Sequence, residues 1–433
     1  MTALNLKPQS ALHWNYRRIK MKRYILLLII GLAIIPFAFG QNSFRMPNRS
    51  FEIGLMDTSI NLSNDFMPIF DFFQESIFID LDALASGFKL GLGFGISPVS
   101  LNINTRTWGF GLYTRVEATG SVSLAGEMLS LNLNNPGVYK SEASFALFAI
   151  TGIDTYFFIQ DFKVTLNPAV FLAIAYARPS ITYRLDRPED NSMIGVNVKA
   201  NMDFYTAYPY DKLMNSMIGR MDFSGIFSPT AGLGFDFSVG IEYPISQATG
   251  LRDRSPLLDF DVGINLINVP ILPSIARNRM NMEAEVDVNL PLDGFNFGDL
   301  SDILNMSESF RAIEDGNADV ERPFKVILWA NWRPFGTQFL TLTPSLGFAI
   351  SRHFYDNPFS LETGLDVTLD LINMLKIKAG INYQDRTWIN SINVAFNLMI
   401  LEIYAGAEFR SQNFLKSFGT AGVGLNVGLK LGF

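Results

Sequence analysis

The chain has 433 residues, 48% apolar and 17% charged, with a net charge of −7, 38 Phe, 34 Gly and no cysteine. The charged share lies below the roughly 25% of soluble domains, the acidic balance argues against nucleic acid as a partner, and the lack of cysteine excludes disulfides, a lipid-modified N-terminal Cys and thiolate metal sites. The length suits two or three soluble domains or one large barrel, but after residue 40 no unbroken apolar run approaches the roughly 20 residues of a spanning helix.

Residues 1–20 are polar and patternless. Met21-Lys22-Arg23 then opens a basic segment, Tyr24 to Phe39 is apolar, and Ala38-Phe39-Gly40 supplies a small-x-small site before Gln41. This is the layout of a cleavable secretory signal over 1–40, and Met21 is a plausible true start. Residues 41–92 are less regular. Phe51 to Leu62 has strand character, whereas Ile69, Phe70, Phe73, Ile77, Leu81 and Leu84 fall near helical spacing. A partly helical segment ahead of the first clean hairpin is expected to plug a barrel, with Phe66, Phe70, Phe72, Phe73 and Phe78 packed in the lumen. A periplasmic helix on the barrel rim is the alternative.

From residue 93 to 433 strands follow one another. Alternation is clean in Gly232 to Tyr243, Leu258 to Leu266, Met280 to Leu290, Phe359 to Leu371, Leu375 to Tyr383, Ile392 to Leu398 and Leu401 to Phe409. Each segment has one apolar face. The other face carries Asp236, Glu242, Asp259, Asp261, Glu283, Glu285, Asp287, Glu362, Asp366, Asp370, Lys376, Lys378, Glu402, Glu408, Arg410 and Lys430. So many ionisable groups cannot face a dry core, because burying an unpaired charge is prohibitively costly. A β-sandwich predicts charges outside and a barrel in lipid predicts them inside, and alternation alone fits both.

The end of the chain separates them. From Val423 the odd positions through Phe433 are apolar and the even ones are Gly, Asn or Lys. An exposed strand ending on an aromatic is an aggregation hazard unless the sheet closes. The last eight residues resemble the targeting signal of bacterial outer-membrane barrel proteins at polar Asn426, Gly428, apolar Leu431 and terminal Phe433. The resemblance implies recognition by the barrel-assembly machinery and a home among outer-membrane lipid. The fold expected is therefore all-β, a transmembrane antiparallel β-barrel of about 14 strands, within a range of about 12–16.

Turns fall into two sets. Leu398 to Leu401, Leu371 to Leu375, Arg333 to Gln338 and Asn104 to Thr107 are tight and are assigned to the periplasm. Thr119 to Glu142, Pro244 to Pro256, Pro291 to Arg322 (with a helix over Leu300 to Ile313) and Arg410 to Thr420 are longer and are assigned outside. Tyr208 to Pro229 is long yet falls on the short side of this count.

Chemistry is sparse. The two histidines are His13, inside the signal, and His353, and no spacing supports a triad or a zinc site, so neither an enzyme nor a cofactor is expected. Asp259 and Asp261 on one strand and Glu283, Glu285 and Asp287 on the next would share the outer half of the lumen, where they could attract cations or hold Ca²⁺. A solvated wall balanced by Arg252, Arg254 and Arg279 is the favoured alternative.

A plugged barrel of this length and strand count is similar in architecture to the long-chain fatty-acid transporter family. That family's Asn-Pro-Ala motif near the mature N-terminus is absent there: Asn167-Pro168-Ala169 lies in the barrel, and the N-terminal region offers Met46-Pro47-Asn48. No ligand-binding residue carries over. The resemblance implies passage of small hydrophobic compounds through a plugged lumen, with lateral exit through the wall. A general diffusion porin and a non-conducting anchor for partner proteins stay open.

Overall fold

The computed structural model describes residues 49–64, 88–124, 137–186, 193–207, 232–251, 255–291, 304–313, 316–354, 357–371, 374–418 and 422–433. In chain order the strands are β1 (Phe51–Asn64), β2 (Phe88–Asn104), β3 (Trp108–Leu124), β4 (Gly137–Ile159), β5 (Phe162–Ala177), β6 (Ser180–Asp186) and β7 (Met193–Thr206). They continue as β8 (Gly234–Tyr243), β9 (Phe260–Leu272), β10 (Ser274–Ala276), β11 (Asn278–Pro291), β12 (Leu304–Ile313) and β13 (Ala318–Val320). The last are β14 (Phe324–Trp332), β15 (Leu340–Ile350), β16 (Phe359–Leu371), β17 (Leu375–Gln384), β18 (Thr387–Leu398), β19 (Leu401–Ser411) and β20 (Val423–Gly432).

A closed antiparallel barrel of 14 strands runs β1 to β5, then β8, β9 and β14 to β20. The circuit finishes through β16 to β20, and β20 returns to β1. Closure leaves no edge in the wall. Four further strands form a side sheet at one end. There β6 pairs with the first six residues of β4, β7 with β6 and β11, and β12 with β11. The short β10 and β13 form a separate ribbon.

Burial separates the two faces of the wall. Ile392, Val394 and Phe396 on β18, Leu361 and Leu365 on β16, and Leu425 and Val427 on β20 are all exposed. The alternate positions hold buried Glu362, Asp370, Glu402 and Lys430. An apolar outside around a charged inside is the arrangement of a barrel in lipid and the inverse of a sandwich. The outward row from Val423 to Phe433 covers about 33 Å of strand, which at a tilt of about 40° gives about 25 Å of apolar height.

One end of the barrel carries Phe433 and the tight connections Thr105 to Thr107, Gln160 to Asp161, Arg333 to Phe339, and Met399 to Ile400. Pro244 to Pro256, expected at the opposite end, also lies here: β8 finishes at Tyr243 against Lys163 near the Gln160 turn, and the helical turn Ile245–Ala248 follows. The long Tyr208 to Pro229 segment is outside the described residues. Its flanks Ala207 and Gly232 reach Ile174 and Ile275 at the loop end, so the inserted β6–β7 hairpin is what displaced the count of turns. The helix expected over Leu300 to Ile313 is instead strand β12 for its described part, held in full register on β11. Long-range ladder bonds there override a local helical spacing.

The N-terminal expectation needs a correction as well. Phe51–Asn64 is a wall strand, bonded to β2 on one side and β20 on the other, so the barrel begins well before residue 93. Its alternation hid this, because the phase flips. Phe51, Ile53 and Leu55 face out at odd positions, whereas Thr58, Ile60 and Leu62 face out at even ones. The switch is a bulge against β20 at Met56 and Asp57, with Met56 at φ 51°. At the same height β2 bulges against β3 around Ser97, Pro98 and Val99, although β1 and β2 stay in continuous register with each other. Phe66, Phe70, Phe72, Phe73 and Phe78 lie outside the described residues.

The four positions of the expected targeting signal sit on this seam. Asn426 Nδ2 donates to Asn393 Oδ1 at 2.9 Å, and a Cβ at Gly428 would collide with the Tyr404 ring. Leu431 and Phe433 face outward, and Phe433 caps the closure. Its carbonyl accepts from the N–H groups of Ser50 and Phe51 at 2.9 and 3.1 Å, its N–H donates to the Phe51 carbonyl at 3.0 Å, and the two rings lie 5.6 Å apart. Deleting Phe433 should therefore lower the yield of heat-modifiable folded barrel far more than Leu425→Ala, which trims an outward side chain but keeps every ladder bond. Equal yields on unheated gels would contradict this account of the seam.

Candidate functional site

The lumen is the candidate site, and many of its charges are paired, although both carboxylate oxygens of the buried Glu52 are without a hydrogen-bond partner among the described residues. Lys378 meets Asp366 at 2.6 Å, Lys376 meets Asp370 at 3.3 Å, Lys430 meets Glu402 at 3.7 Å, and Arg410 meets Glu408 at 2.6 Å. Lys325 Nζ reaches Glu362 and Asp385, each at 3.2 Å. Since Asp385 lies in the β17–β18 turn, that contact pulls the hairpin tip inward over β14. At the tight-turn end Arg49 reaches in to donate to Asn397 Oδ1. Mutual pairing relieves much of the cost of burying these groups, which isolated charges would pay in full.

The five predicted acidic residues do not come together. Asp259 and Asp261 sit where β9 starts at the tight-turn end, and both bind Arg333. Glu283 and Glu285 lie on β11 in the side sheet at the other end, where Asn201 Nδ2 and Asn197 Nδ2 donate to them at 3.2 and 2.8 Å. Asp287 follows on the same strand, opposite Asn197 and Asn305. The strands β9 and β11 do not pair: β9 lies between β8 and β14, and β11 between β7 and β12. Among the described residues no group of three or more acidic or histidine side chains could hold a metal ion. Arg279, predicted as a balancing cation, binds Asp203 in bidentate fashion at 2.9 and 2.8 Å.

Sequence reasoning missed an apolar region inside the barrel. Ala146, Phe148 and Ile150 on β4 and Ala169, Phe171 and Ala173 on β5 face inward and are buried. They are covered by Val320 of the ribbon and by Phe354 from the β15–β16 connection. The ribbon is tied to the wall by polar contacts. Ser274 Oγ donates to the Gly232 carbonyl at 2.7 Å and accepts from the Ala173 N–H at 2.8 Å. Just after β13, Arg322 forms a fork with Asp236 at 2.7 and 2.6 Å while its guanidinium lies 5.5 Å from the centre of the Phe171 ring. Phe171 in turn lies where a Cβ on Gly234 would be, which keeps the ring flat against the wall. The signal was present in the even-numbered Ala146, Phe148 and Ile150, since this strand is apolar on both faces.

Breaking the Asp236–Arg322 pair should be costly, because both partners are buried and one charge would be stranded. Asp236→Ala or Arg322→Ala alone should destabilise by about 3–5 kcal/mol, whereas the apolar double replacement Asp236→Met/Arg322→Leu should cost much less. Urea unfolding in detergent micelles reads the difference. Single and double variants of equal stability would contradict the pairing.

Tyr176 Oη donates to the His353 carbonyl at 2.7 Å, and His353 Nε2 lies 3.9 Å from Glu321. Burial holds the His353 imidazole below the usual histidine value. Arg178 and Arg352 act in the same direction and Glu321 and Asp319 oppose them. A histidine kept neutral in the fold loses stability to the unfolded chain as pH falls from the unfolded value through the lower folded one. Hydrogen exchange over Ser351 to Phe354 should thus speed up as pH falls below the ordinary histidine value, after correction for intrinsic rates. His353→Gln should flatten that dependence, and an unchanged slope would rule out the imidazole as its source.

No family model and no curated protein matches the sequence. Among solved structures the chain is similar to the toluene transporter TodX of P. putida, at 9% identity and a TM-score of 0.44, over 88% of this chain and 89% of that one. A Pseudomonas aeruginosa FadL homologue is similar at 9% identity and a TM-score of 0.38, over 89% and 91% of the two chains. The translocator domain of the autotransporter NalP from Neisseria meningitidis is similar at 7% identity and a TM-score of 0.30, over 97% and 98%. At these values the strand pairing itself, rather than the likeness, carries the description of the barrel.

Proposed function

We propose that the protein is an outer-membrane channel that passes small hydrophobic compounds through a plugged lumen. The observation that carries this reading is the apolar region on β4 and β5 beneath the ribbon, set in a lumen where many of the charges are neutralised in pairs. A diffusion pore for ions gains nothing from apolar inward side chains, whereas a greasy solute needs them to leave water. In this reading residues 1–40 are a cleaved export signal, the tight-turn end faces the periplasm, and the aromatics from Phe66 to Phe78 add to the plug. Assembly runs through the barrel-assembly machinery, and the chain carries out no catalysis.

The bulged panel of β1 and β2 supports lateral exit. Its two strands are in register with each other and slip against both neighbours at one height, so β1 can part from β20 there with fewer ladder bonds lost.

Proteoliposomes test the proposal. The intact protein should show little ion conductance in planar bilayers yet speed the transfer of a radiolabelled aromatic hydrocarbon, and Asp236→Ala/Arg322→Ala should raise conductance by loosening the ribbon. A disulfide between Leu55→Cys and Leu429→Cys, which are register partners across the seam, should slow hydrocarbon transfer without changing the folded fraction. Large ion currents unaffected by the ribbon variant would favour a porin. A barrel that passes neither ions nor hydrocarbon would favour a scaffold.

A further inference from the structure

At the loop end the connection from β19 to β20 doubles back onto the outside of the wall. The Phe414 ring meets Trp388 edge-on at 4.8 Å and Phe418 at 5.3 Å, and Trp388 packs on Tyr383 at 5.0 Å. Tyr383 and Trp388 belong to the outward rows of β17 and β18, which run on through exposed Ile381 and Ile392. Phe414, Leu415 and Phe418 therefore extend the apolar belt past the last ladder bonds, and Leu415 is 78% exposed.

The turn is held by hydrogen bonds of its own. Asn413 Oδ1 accepts from the N–H groups of Leu415 and Lys416 at 2.9 and 3.3 Å, and Ser417 Oγ donates to the Phe414 carbonyl at 2.6 Å. Ser417 is fully buried and accepts from Asn390 Nδ2 at 2.7 Å. Asn390 is the polar residue that interrupts the outward row between Trp388 and Ile392, so the turn gives its Nδ2 a partner that lipid could not supply, while its Oδ1 is buried without one among the described residues. A loop made for water has no reason to display three large apolar side chains on a turn that buries its Ser417 against the wall. A segment resting at a bilayer interface requires that arrangement.

We propose that Asn413 to Phe418 form a foot seated in the outer leaflet, with Phe414, Leu415 and Phe418 among acyl chains at the headgroup boundary. Exposed Lys416 reaches from it to an anionic lipid phosphate, its methylene stem lying along the apolar surface. The inference rests on the membrane reading above and adds a specific lipid contact at one rim.

The native chain has no cysteine, so single labels can be placed by Leu415→Cys, Val427→Cys and Arg352→Cys. In proteoliposomes a fluorophore at 415 should be quenched by lipids brominated near the headgroup and shielded from aqueous iodide. A label at 427 should respond to lipids brominated deeper in the chain, and one at 352 to iodide. In vesicles containing anionic lipid, Lys416→Gln should reduce the enrichment of that lipid around the barrel. Lipid quenching at 427 with iodide quenching at 415 would overturn the foot and leave the barrel intact. Loss of lipid quenching at both positions would overturn the membrane reading itself. Lipid quenching at 415 with no effect of Lys416→Gln would overturn the headgroup contact.

Discussion

An open sheet edge in hydrocarbon strands a row of backbone donors and acceptors at several kcal/mol each, so the wall depends on the bonds by which β20 meets β1. Those bonds run from Glu52 opposite Gly432 to Leu62 opposite Val423, and Phe433 adds three more at the end. Elsewhere in the wall, paired strands follow one another along the chain, except that β5 meets β8 past the inserted β6–β7 hairpin and β9 meets β14 past β10 to β13. The closing seam joins the first and last wall strands, which makes it the wall contact of greatest sequence separation and the one whose register most needs fixing. The bulge at Met56 and Asp57 supplies part of that fixing, because a slip of one residue would turn Ile60 inward and Asn61 outward.

Closure also sets the electrostatics. A sheet wrapped with its apolar face outward has to gather its polar side chains inside, and the space there is limited. The result is pairing across neighbouring strands, as in Lys378 with Asp366 or Lys430 with Glu402, and over longer spans, as in Lys325 with Asp385. Midway along β4 and β5 the inward residues from Ala146 to Ile150 and from Ala169 to Ala173 are apolar instead, and the ribbon covers them. The barrel therefore has one flank neutralised by ion pairs and another filled by side-chain packing, and the Arg322–Asp236 fork joins the two.

Much of this was legible in the sequence where alternation was regular. Phe359–Leu371 was read with the bounds it has, β17 and β19 to within two residues at their ends, and the strand number was right. Alternation reports which face a side chain takes but says nothing about height or partner. Met280 to Leu290 alternates as well as any wall strand and yet belongs to the side sheet, which is why its acids were placed beside Asp259 and Asp261. The phase flip at Met56 made β1 look irregular, and a helical spacing misled over Leu304 to Ile313. The ribbon is set by contacts across more than a hundred residues, such as Ala173 with Ser274, and no local pattern encodes it.

The most direct test of the central claim, that the wall closes through a phase-switched β1, is a cysteine scan along Phe51–Asn64 with a lipid-phase quencher of an attached fluorophore. The account predicts quenching at Ile53 and Leu55, then at Thr58, Ile60 and Leu62, with protection at Gly54, Ser59 and Asn61. Protection along the whole segment, or an alternation that runs through Met56 without changing phase, would contradict it.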